Sequence, residues 1–222
     1  MSKVLVLAVH PDDETLGCGG TLLKHKDGGD EIYWLIATSM TAEHGFKKSL
    51  IAQRDEEITT VAKMYGFDGV YRLDFPTARL DEISMAEVIA KISKVFEEVK
   101  PNIIYLPFRG DVHSDHRIIF DAAYSCTKSF RYPFIKKILM VETISETEFS
   151  PSSNEHKYYP NYFVDVTDYI DRQIEIVKCY ESEIGNHPFP RSLENIRALG
   201  TFRGATAGCL YAESFMMLKE IW

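Results

Sequence analysis

Residues 4–14 of this chain have the sequence VLVLAVHPDDE, which joins an apolar run to a polar cluster. Six aliphatic residues, Val4 to Val9, precede a proline and a glycine-rich segment, which predicts a buried strand that ends in a loop. The loop carries His10, Asp12 and Asp13. Because ligands bind at strand carboxyl ends in open α/β sheets, these side chains are candidates for a site. Asp12 and Asp13 point to opposite sides of an extended chain, so one can hold a metal while the other faces a substrate or water.

A second polar cluster, HSDH at residues 113–116, follows the apolar run 103–108 and precedes a helix-like stretch at 118–123. The two acid- and histidine-containing loops converge on one site if their strands are neighbours. Zinc suits imidazole and carboxylate ligands, and a catalytic zinc site keeps three protein ligands and one open position. The two clusters together therefore indicate a metal site.

Strand and helix patterns alternate along the rest of the chain. Further strands are predicted at residues 31–38, 70–73, 137–144 and 161–166, and helices at 16–26, 50–65, 84–99, 168–183 and 193–199. This alternation predicts a single Rossmann-like α/β domain over residues 1–222, with a mostly parallel sheet flanked by helices and an active site at strand carboxyl ends. The polar segment 145–160 is predicted to be a rim or lid loop.

The glycines at positions 17, 19 and 20 lack the spacing of a nucleotide-binding loop. We expect them instead to let the first helix pack closely against the sheet. The net charge of −8 argues against a nucleic-acid partner, which needs a basic face. With no signal-like start and no apolar run of about 18 residues, the sequence predicts a soluble, cytoplasmic protein without a membrane partner.

Three stretches resemble the LmbE/PIG-L family of zinc-dependent N-acetylglucosaminyl deacetylases. They are AVHPDDE followed by GCGG at residues 8–20, RDEE at 54–57 and HSDH at 113–116. The resemblance implies a hydrolase that removes the N-acetyl group from a small N-acetylglucosamine-type sugar or glycoconjugate. It implies Zn²⁺ as the cofactor, with Fe²⁺ or Co²⁺ accepted by the same ligands, and it allows a homo-oligomer. It leaves the identity of the sugar open.

Carried over residue by residue, the resemblance makes His10, Asp13 and His116 the metal ligands and Asp12 the general base. Zinc lowers the pKa of bound water towards about 7, which supplies hydroxide at neutral pH. His113, if it is protonated, would stabilise the oxyanion. The proton for the leaving amine comes from His113 or from Asp12, and the sequence leaves that choice open.

Other residues receive supporting roles. Asp115 is expected to orient a metal-site histidine, as carboxylates commonly do. Arg54 and Glu57 lie three positions apart on one face of a predicted helix, where they could form a solvated ion pair. The resemblance instead places Arg54 beside the sugar, where its forked guanidinium suits hydroxyl or phosphate oxygens. Asp74 either contacts sugar hydroxyls or caps a turn. His187 and Arg191 either contact the substrate or hold a rigid, proline-containing loop.

Two other functions fit parts of the pattern. A metal-dependent phosphoesterase would use a bimetallic, carboxylate-rich site, whereas one metal with two histidines favours the amidohydrolase. A catalytically inactive sugar-binding module would need no base beside a metal. The presence of Asp12 next to three candidate ligands argues against that module.

Overall fold

One seven-stranded sheet forms the centre of the protein. The structure is a computed structural model that describes residues 1–151 and 157–222. The strands are β1 Lys3–Ala8, β2 Glu31–Ser39, β3 Gly69–Pro76, β4 Ile103–Leu106, β5 Lys137–Val141, β6 Tyr162–Asp165 and β7 Ala212–Glu220. Their order is β3-β2-β1-β4-β5-β7-β6. Strands β1 to β5 pair in parallel, and β7 is antiparallel to both of its neighbours. The predicted Rossmann-like, mostly parallel sheet is confirmed.

Helices cover both faces of this sheet. They are α1 Asp13–Asp27, α2 Lys48–Tyr65, α3 Met85–Val99, α4 Ser114–Ser125, α5 Ile170–Val177 and α6 Leu193–Ala207. Along β1, Leu5 and Leu7 face a core that includes residues of α3 and α4. The alternate residues Val4 and Val6 face a core that includes residues of α1, α2 and α5. Because both faces are buried, β1 is apolar throughout rather than alternating.

The chain reverses its direction of travel across the sheet between β1 and β4. It first moves outwards from β1 through β2 to β3, and then returns to place β4 on the other side of β1. The loops that follow β1 and β4 therefore border the same crevice, which is where open α/β sheets bind ligands. This arrangement brings the two polar clusters of the sequence together.

The glycines of α1 allow the close packing that the sequence predicts. A Cβ atom at Gly17 would lie 2.9 Å from Cγ2 of Val141, and one at Gly20 would lie 2.8 Å from Cβ of Val166. These separations are shorter than ordinary van der Waals contact. Small residues therefore let α1 approach β5 and the end of β6.

Helix α1 also has a break, at Cys18, whose φ is −153°. The break frees backbone N–H groups of the following turn. Those of Gly20 and Thr21 donate to the carboxylate of Glu213, at 2.9 and 2.7 Å. Glu213 on β7 thus caps the second half of α1, which adds a polar link between this helix and the far side of the sheet.

The C-terminal third differs most from the sequence-based expectation. Strand β7 was not predicted, and α6 continues to Ala207 instead of ending at residue 199. Helix α5 ends at Val177, so residues 178–192 run as turns towards the β1 loop instead of continuing the predicted helix. Within the predicted 145–160 loop, residues 152–156 lie outside the described residues. In the described ranges, no helix combines the length and the apolar character needed to cross a membrane.

Candidate active site

A cavity of about 270 Å³ opens at the carboxyl ends of the central strands. Its walls come from the loop after β1 and the start of α1, from the segment that runs from the end of β2 into α2, and from a few residues at β3, before α4 and after β5. Glu183 and Arg191, from the turns after α5, complete the wall. Sequence-predicted site residues that line this cavity are His10, Asp12, Asp13, Arg54, His113 and Arg191.

A candidate metal-binding group includes two residues that line the cavity, His10 and Asp13, and the fully buried His116. His10, Asp13 and His116 each offer a donor atom, and these three atoms lie within 4.8 Å of one another. Nε2 of His10 and Nε2 of His116 are buried and lack a hydrogen-bond partner. Nε2 of His116 lies 3.4 Å from Oδ2 of Asp13, whereas the His10 nitrogen nearest to that atom is Nδ1, at 3.8 Å. Buried polar atoms are normally paired, so two orphaned imidazole nitrogens in a group that also holds a carboxylate fit a cation. The donor set of two nitrogens and one carboxylate oxygen suits zinc and its neighbours in the first transition row.

A buried carboxylate orients His116. Nδ1 of His116 lies 2.8 Å from Oδ2 of Asp111, and the hydroxyl of Thr147 donates to the other carboxylate oxygen at 2.7 Å. Both His116 and Asp111 are 0% exposed. Burial opposes the charge on His116, but Asp13 and Asp111 outweigh it and raise its pKa to about 9. Asp111 thus turns Nε2 of His116 towards Asp13, from which it lies 3.4 Å.

A second overlapping group contains His10, His113 and Asp115, also with donor atoms within 4.8 Å. Its members are already occupied by backbone groups. Nδ1 of His113 accepts the N–H of Asp115 at 3.1 Å as the N-cap of α4. The Asp115 carboxylate accepts the N–H groups of Ala78 and Leu80, at 2.7 and 3.4 Å. In the first group one carboxylate oxygen, Oδ2 of Asp13, also accepts a backbone N–H, that of His10 at 2.8 Å. Because both oxygens of Asp115 and one nitrogen of His113 are bonded in this way, the second group fits a cation less well than His10, Asp13 and His116.

Asp115 also lies beside a candidate ligand. Its Oδ2 atom is 3.5 Å from Nε2 of His10. Burial raises the pKa of Asp115, but the nearby ring of His10 and the hydrogen bond from the N–H of Ala78 outweigh it and leave the pKa below its usual value. Asp115 is therefore ionised near neutral pH, beside the ring of His10.

His113 is held in one neutral form. Because its Nδ1 accepts a hydrogen bond, the ring proton belongs on Nε2. Burial and the neighbouring His10 lower the pKa of His113 to about 4. His113 thus offers the cavity a neutral N–H donor at pH 7.

An ionic chain holds Asp12. Nη1 of Arg191 lies 3.1 Å from Oδ2 of Asp12 and 3.2 Å from Oε2 of Glu183. Burial raises the pKa of Asp12 well above its usual value, Asp13 and Glu183 raise it further, and Arg191 opposes them. The backbone of Asp12 has φ 142°, an unusual value for a non-glycine residue. The carboxylate of Asp12 is thus fixed at the cavity wall next to the metal-binding group.

Arg54 is anchored inside the protein on the same ionic chain. It donates to the carbonyl of Pro11 at 2.6 Å, pairs with Glu57 at 2.9 Å, and also bonds to Glu183. It is 7% exposed. Its guanidinium therefore braces the β1 loop, and only a small part of it faces the cavity.

The structure does not bring Asp74 and His187 to the cavity. Asp74 has a φ of 53° and an exposed side chain that pairs with Arg72 at 3.3 Å. His187 is also exposed. Neither residue is among those that line the cavity.

Several residues of the site were not predicted from the sequence. Asp111 lies two positions before His113, and this spacing in a polar loop was an available signal. Glu146 lines the cavity and accepts the N–H of His113 at 3.2 Å. Glu183 joins Arg54 to Arg191. Glu146 and Glu183 belong to polar segments with no local motif, so only the folded chain reveals their position.

Comparisons with known proteins agree with this fold. The diacetylchitobiose deacetylase of Thermococcus kodakarensis is 26% identical over 231 aligned residues, which cover 100% of this chain and 85% of that protein. The probable N-acetyl-alpha-D-glucosaminyl L-malate deacetylase 2 of Bacillus cereus is 29% identical over 122 residues, covering 51% of this chain and 55% of that protein.

A solved structure also shares the fold along nearly the whole chain. The N,N'-diacetylchitobiose deacetylase from Pyrococcus horikoshii matches with a TM-score of 0.77 at 22% identity, over 98% of this chain and 84% of that one. Residues 5–127, which include both polar clusters, match the family PIG-L, described as GlcNAc-PI de-N-acetylase. Since this match spans more than half of the sequence, the chain belongs to the PIG-L family.

Proposed function

We propose that this protein is a metal-dependent deacetylase that hydrolyses the acetamide of an N-acetylglucosamine-type sugar. The observation that carries the proposal is the juxtaposition of His10, Asp13 and the buried His116 with the carboxylate of Asp12, at a cavity that His10, Asp12 and Asp13 line. The names of two relatives, which deacetylate diacetylchitobiose and an N-acetylglucosaminyl malate, support the same reaction.

The proposed metal-holding residues are His10, Asp13 and His116, with zinc, Fe²⁺ or Co²⁺ as candidates. When bound, such an ion polarises a carbonyl and lowers the pKa of water from 15.7 to about 7. Asp111 keeps the Nδ1 proton of His116 engaged, so that Nε2 stays free to ligate.

Asp12 is the proposed general base. It takes a proton from the attacking water, whose oxygen forms a bond to the acetamide carbon. The raised pKa of Asp12 moves this carboxylate closer to the range in which a group can both accept and return a proton. Arg191 keeps Asp12 in place and limits that rise.

His113 is the proposed hydrogen-bond donor to the oxyanion. With its proton on Nε2 it stabilises developing negative charge without being an imidazolium. A neutral imidazole is a poor source of a proton for the leaving amine. Asp12, protonated in the first step, is therefore the proposed acid: it delivers its proton to nitrogen as the C–N bond breaks, giving acetate and a free amine.

The donor set also ranks the alternatives. The candidate metal group contains two imidazoles and one carboxylate within the described residues. This composition suits a single borderline cation better than the carboxylate-rich pair of hard cations of many phosphoesterases. A binding module would need neither Asp12 nor the chain that positions it.

The test is release of free amine and acetate from a panel of N-acetylglucosaminides, run with purified protein, after chelation and after metal addition. We expect turnover that chelation abolishes and metal restores. A phosphatase panel run in parallel provides the contrast. Turnover of phosphoesters without release of amine from any N-acetyl sugar would replace this proposal with the phosphoesterase.

A further inference from the structure

We infer that the substrate is an electrically neutral glycan, and that its part beyond the reacting sugar packs on an apolar wall of Met40, Phe46 and Ile51. The inference deepens the proposed function and rests on it for the reaction. It depends on the balance of charge in the cavity and on apolar side chains that have no part in the proposed chemistry.

The first observation is that every arginine lining the cavity already pairs with carboxylates. Three arginines line it, and each has carboxylate partners: Arg54 with Glu57 and Glu183, Arg191 with Asp12 and Glu183, and Arg72 with Asp55 at 2.7 Å and Asp74 at 3.3 Å. No lysine is among the lining residues of the described chain. A phosphate or carboxylate ligand binds most strongly to a cation whose charge is not already balanced by carboxylates. Arg191 keeps an unpaired Nε atom, but its Nη1 atom already faces two carboxylates, so an anionic ligand would compete with them for this guanidinium.

The second observation is the balance of charge. The same walls carry five acidic residues: Asp12, Asp13, Asp55, Glu146 and Glu183. Formally, a divalent cation in the metal-binding group would only bring the cavity to neutrality. An anionic substituent would therefore meet no net positive field, and nearby carboxylates would repel it.

The third observation is what the walls offer instead. Met40, Phe46 and Ile51 supply an apolar surface, and the hydroxyl-bearing residues Ser39, Thr77 and Ser145 line the same cavity. The C–H faces of a pyranose pack on aromatic and aliphatic side chains, while its hydroxyls bond to neutral donors and acceptors. This mixture suits a neutral polyol.

The apolar wall is held in place by local structure. The hydroxyl of Thr41 bonds to Nδ1 of His44 at 2.7 Å, and the N–H of Gly45 donates to the carbonyl of Ala42. Gly45 has φ 86°, a left-handed value that favours glycine. This turn directs the next residue, Phe46, to the cavity.

The inference separates two kinds of substrate that occur among the relatives. Diacetylchitobiose is a neutral disaccharide, whereas an N-acetylglucosaminyl malate carries carboxylates. The pairing of the arginines with carboxylates and the presence of the apolar wall favour the neutral substrate. The wall would receive the second ring of a disaccharide.

The charge test compares the methyl α-glycoside and the α-1-phosphate of N-acetylglucosamine, which share the sugar and the anomer but differ in charge. We expect kcat/KM, and affinity by titration calorimetry, to be at least about tenfold higher for the methyl glycoside. Asp55→Asn weakens the hold on Arg72, so the preference should narrow in that variant. Equal or better use of the phosphate by the wild-type protein would overturn the inference.

The wall test compares N,N'-diacetylchitobiose with the methyl glycoside in Phe46→Ala. We expect the loss of aromatic surface to raise KM for the disaccharide about tenfold and to change KM for the monosaccharide much less. Phe130→Ala is the matched control, because Phe130 is 79% exposed and lies outside the cavity. Equal effects of Phe46→Ala on both sugars would contradict the wall.

Binding separates this inference from the proposed function. If neutral sugars bind with the expected dependence on Phe46 but release no amine, the inference stands and the proposed reaction fails. If amine is released but the anionic sugar is preferred, the reaction stands and the inference fails. If no neutral sugar binds or reacts, both fail.

Discussion

Replacing Asp111 with asparagine tests the link between a buried carboxylate and the candidate metal ligand His116. The amide has nearly the same shape, and its oxygen can accept the Nδ1 proton of His116 as the carboxylate does at 2.8 Å. Its NH₂ group can meet the Thr147 hydroxyl oxygen, which now donates to the carboxylate at 2.7 Å. The substitution therefore removes a charge while keeping the local hydrogen-bond geometry.

The expected magnitude follows from this single change. A hydrogen bond to a charged partner contributes about 1–2 kcal/mol more than a neutral one. Because the bond strengthens His116 as a donor, the metal dissociation constant should rise ~5- to 30-fold. In the metal-free protein, Asp111→Asn should also lower the pKa of His116, which the carboxylates now raise to about 9.

The assay is competition for Zn²⁺ or Co²⁺ against a chromophoric chelator at fixed pH. Asp121→Asn is the control, because it removes a carboxylate from α4, the helix that carries His116. Asp121 forms an exposed ion pair with Arg109. We expect that control to bind metal as the wild-type protein does. Wild-type affinity in Asp111→Asn would refute the assignment of His116 as a ligand oriented by this carboxylate.

Three further substitutions test separate parts of the structure. Arg191→Ala should lower kcat about 10- to 100-fold with little change in KM, because Asp12 loses its anchor. Arg191 also lowers the pKa of Asp12, so the acidic limb of the kcat profile should move to higher pH in this variant. A rise in KM alone would instead make Arg191 a substrate contact. Glu213 has a folded pKa raised from 4.5 to about 7 by burial, so its contribution to stability is fully present below pH 4.5 and is lost as pH rises to about 7. Glu213→Gln should remove about 2–3 kcal/mol of the fall in the free energy of unfolding between pH 5 and pH 8, measured with urea. An unchanged fall would show that Glu213 does not titrate in this way. Gly20→Ala should destabilise the fold by about 1–3 kcal/mol through overpacking. Gly200→Ala should be neutral or stabilising, because Gly200 lies in a helix and a Cβ atom there would be 3.4 Å from its nearest neighbour. Equal midpoints of unfolding for the two variants would contradict the packing of α1.

The centre of the fold was predictable because its signals are local. Residues 4–9 form one continuous apolar run, as is typical of a strand that is buried on both faces. The loops after β1 and β4 could be placed together because parallel strands end at the same edge of the sheet. His10, Asp12, Asp13, His113 and His116 accordingly converge in the structure.

The edge of the sheet was not predictable in the same way. Strand β7 is buried at some positions and half-buried at others, so its sequence shows neither a continuous apolar run nor a regular alternation. Its insertion between β5 and β6 depends on long-range pairing. Helix propensity also favoured continuing α5 through residue 183, where the structure instead uses turns that carry Glu183 to the site.

The supporting residues of the site were the least predictable. Arg54 and Glu57 were recognised as one face of a helix, but the partners of Arg54 at Pro11 and Glu183 are 43 and 129 positions away. Asp74 follows a strand-like run, as a site residue would, yet its side chain turns to solvent and Arg72. Such contacts depend on how distant segments pack, which spacing alone does not encode.

The most direct test of the proposed metal-dependent deacetylase activity is a paired measurement of metal content and amine release in three proteins: wild type, Asp13→Ala and Asp12→Asn. We predict about one metal per chain and chelator-sensitive release in the wild type, and loss of both in Asp13→Ala. Asp12→Asn should keep the metal while turnover falls about 10²- to 10⁴-fold. Full turnover in Asp12→Asn, or wild-type metal content in Asp13→Ala, would contradict the roles assigned to these neighbouring carboxylates.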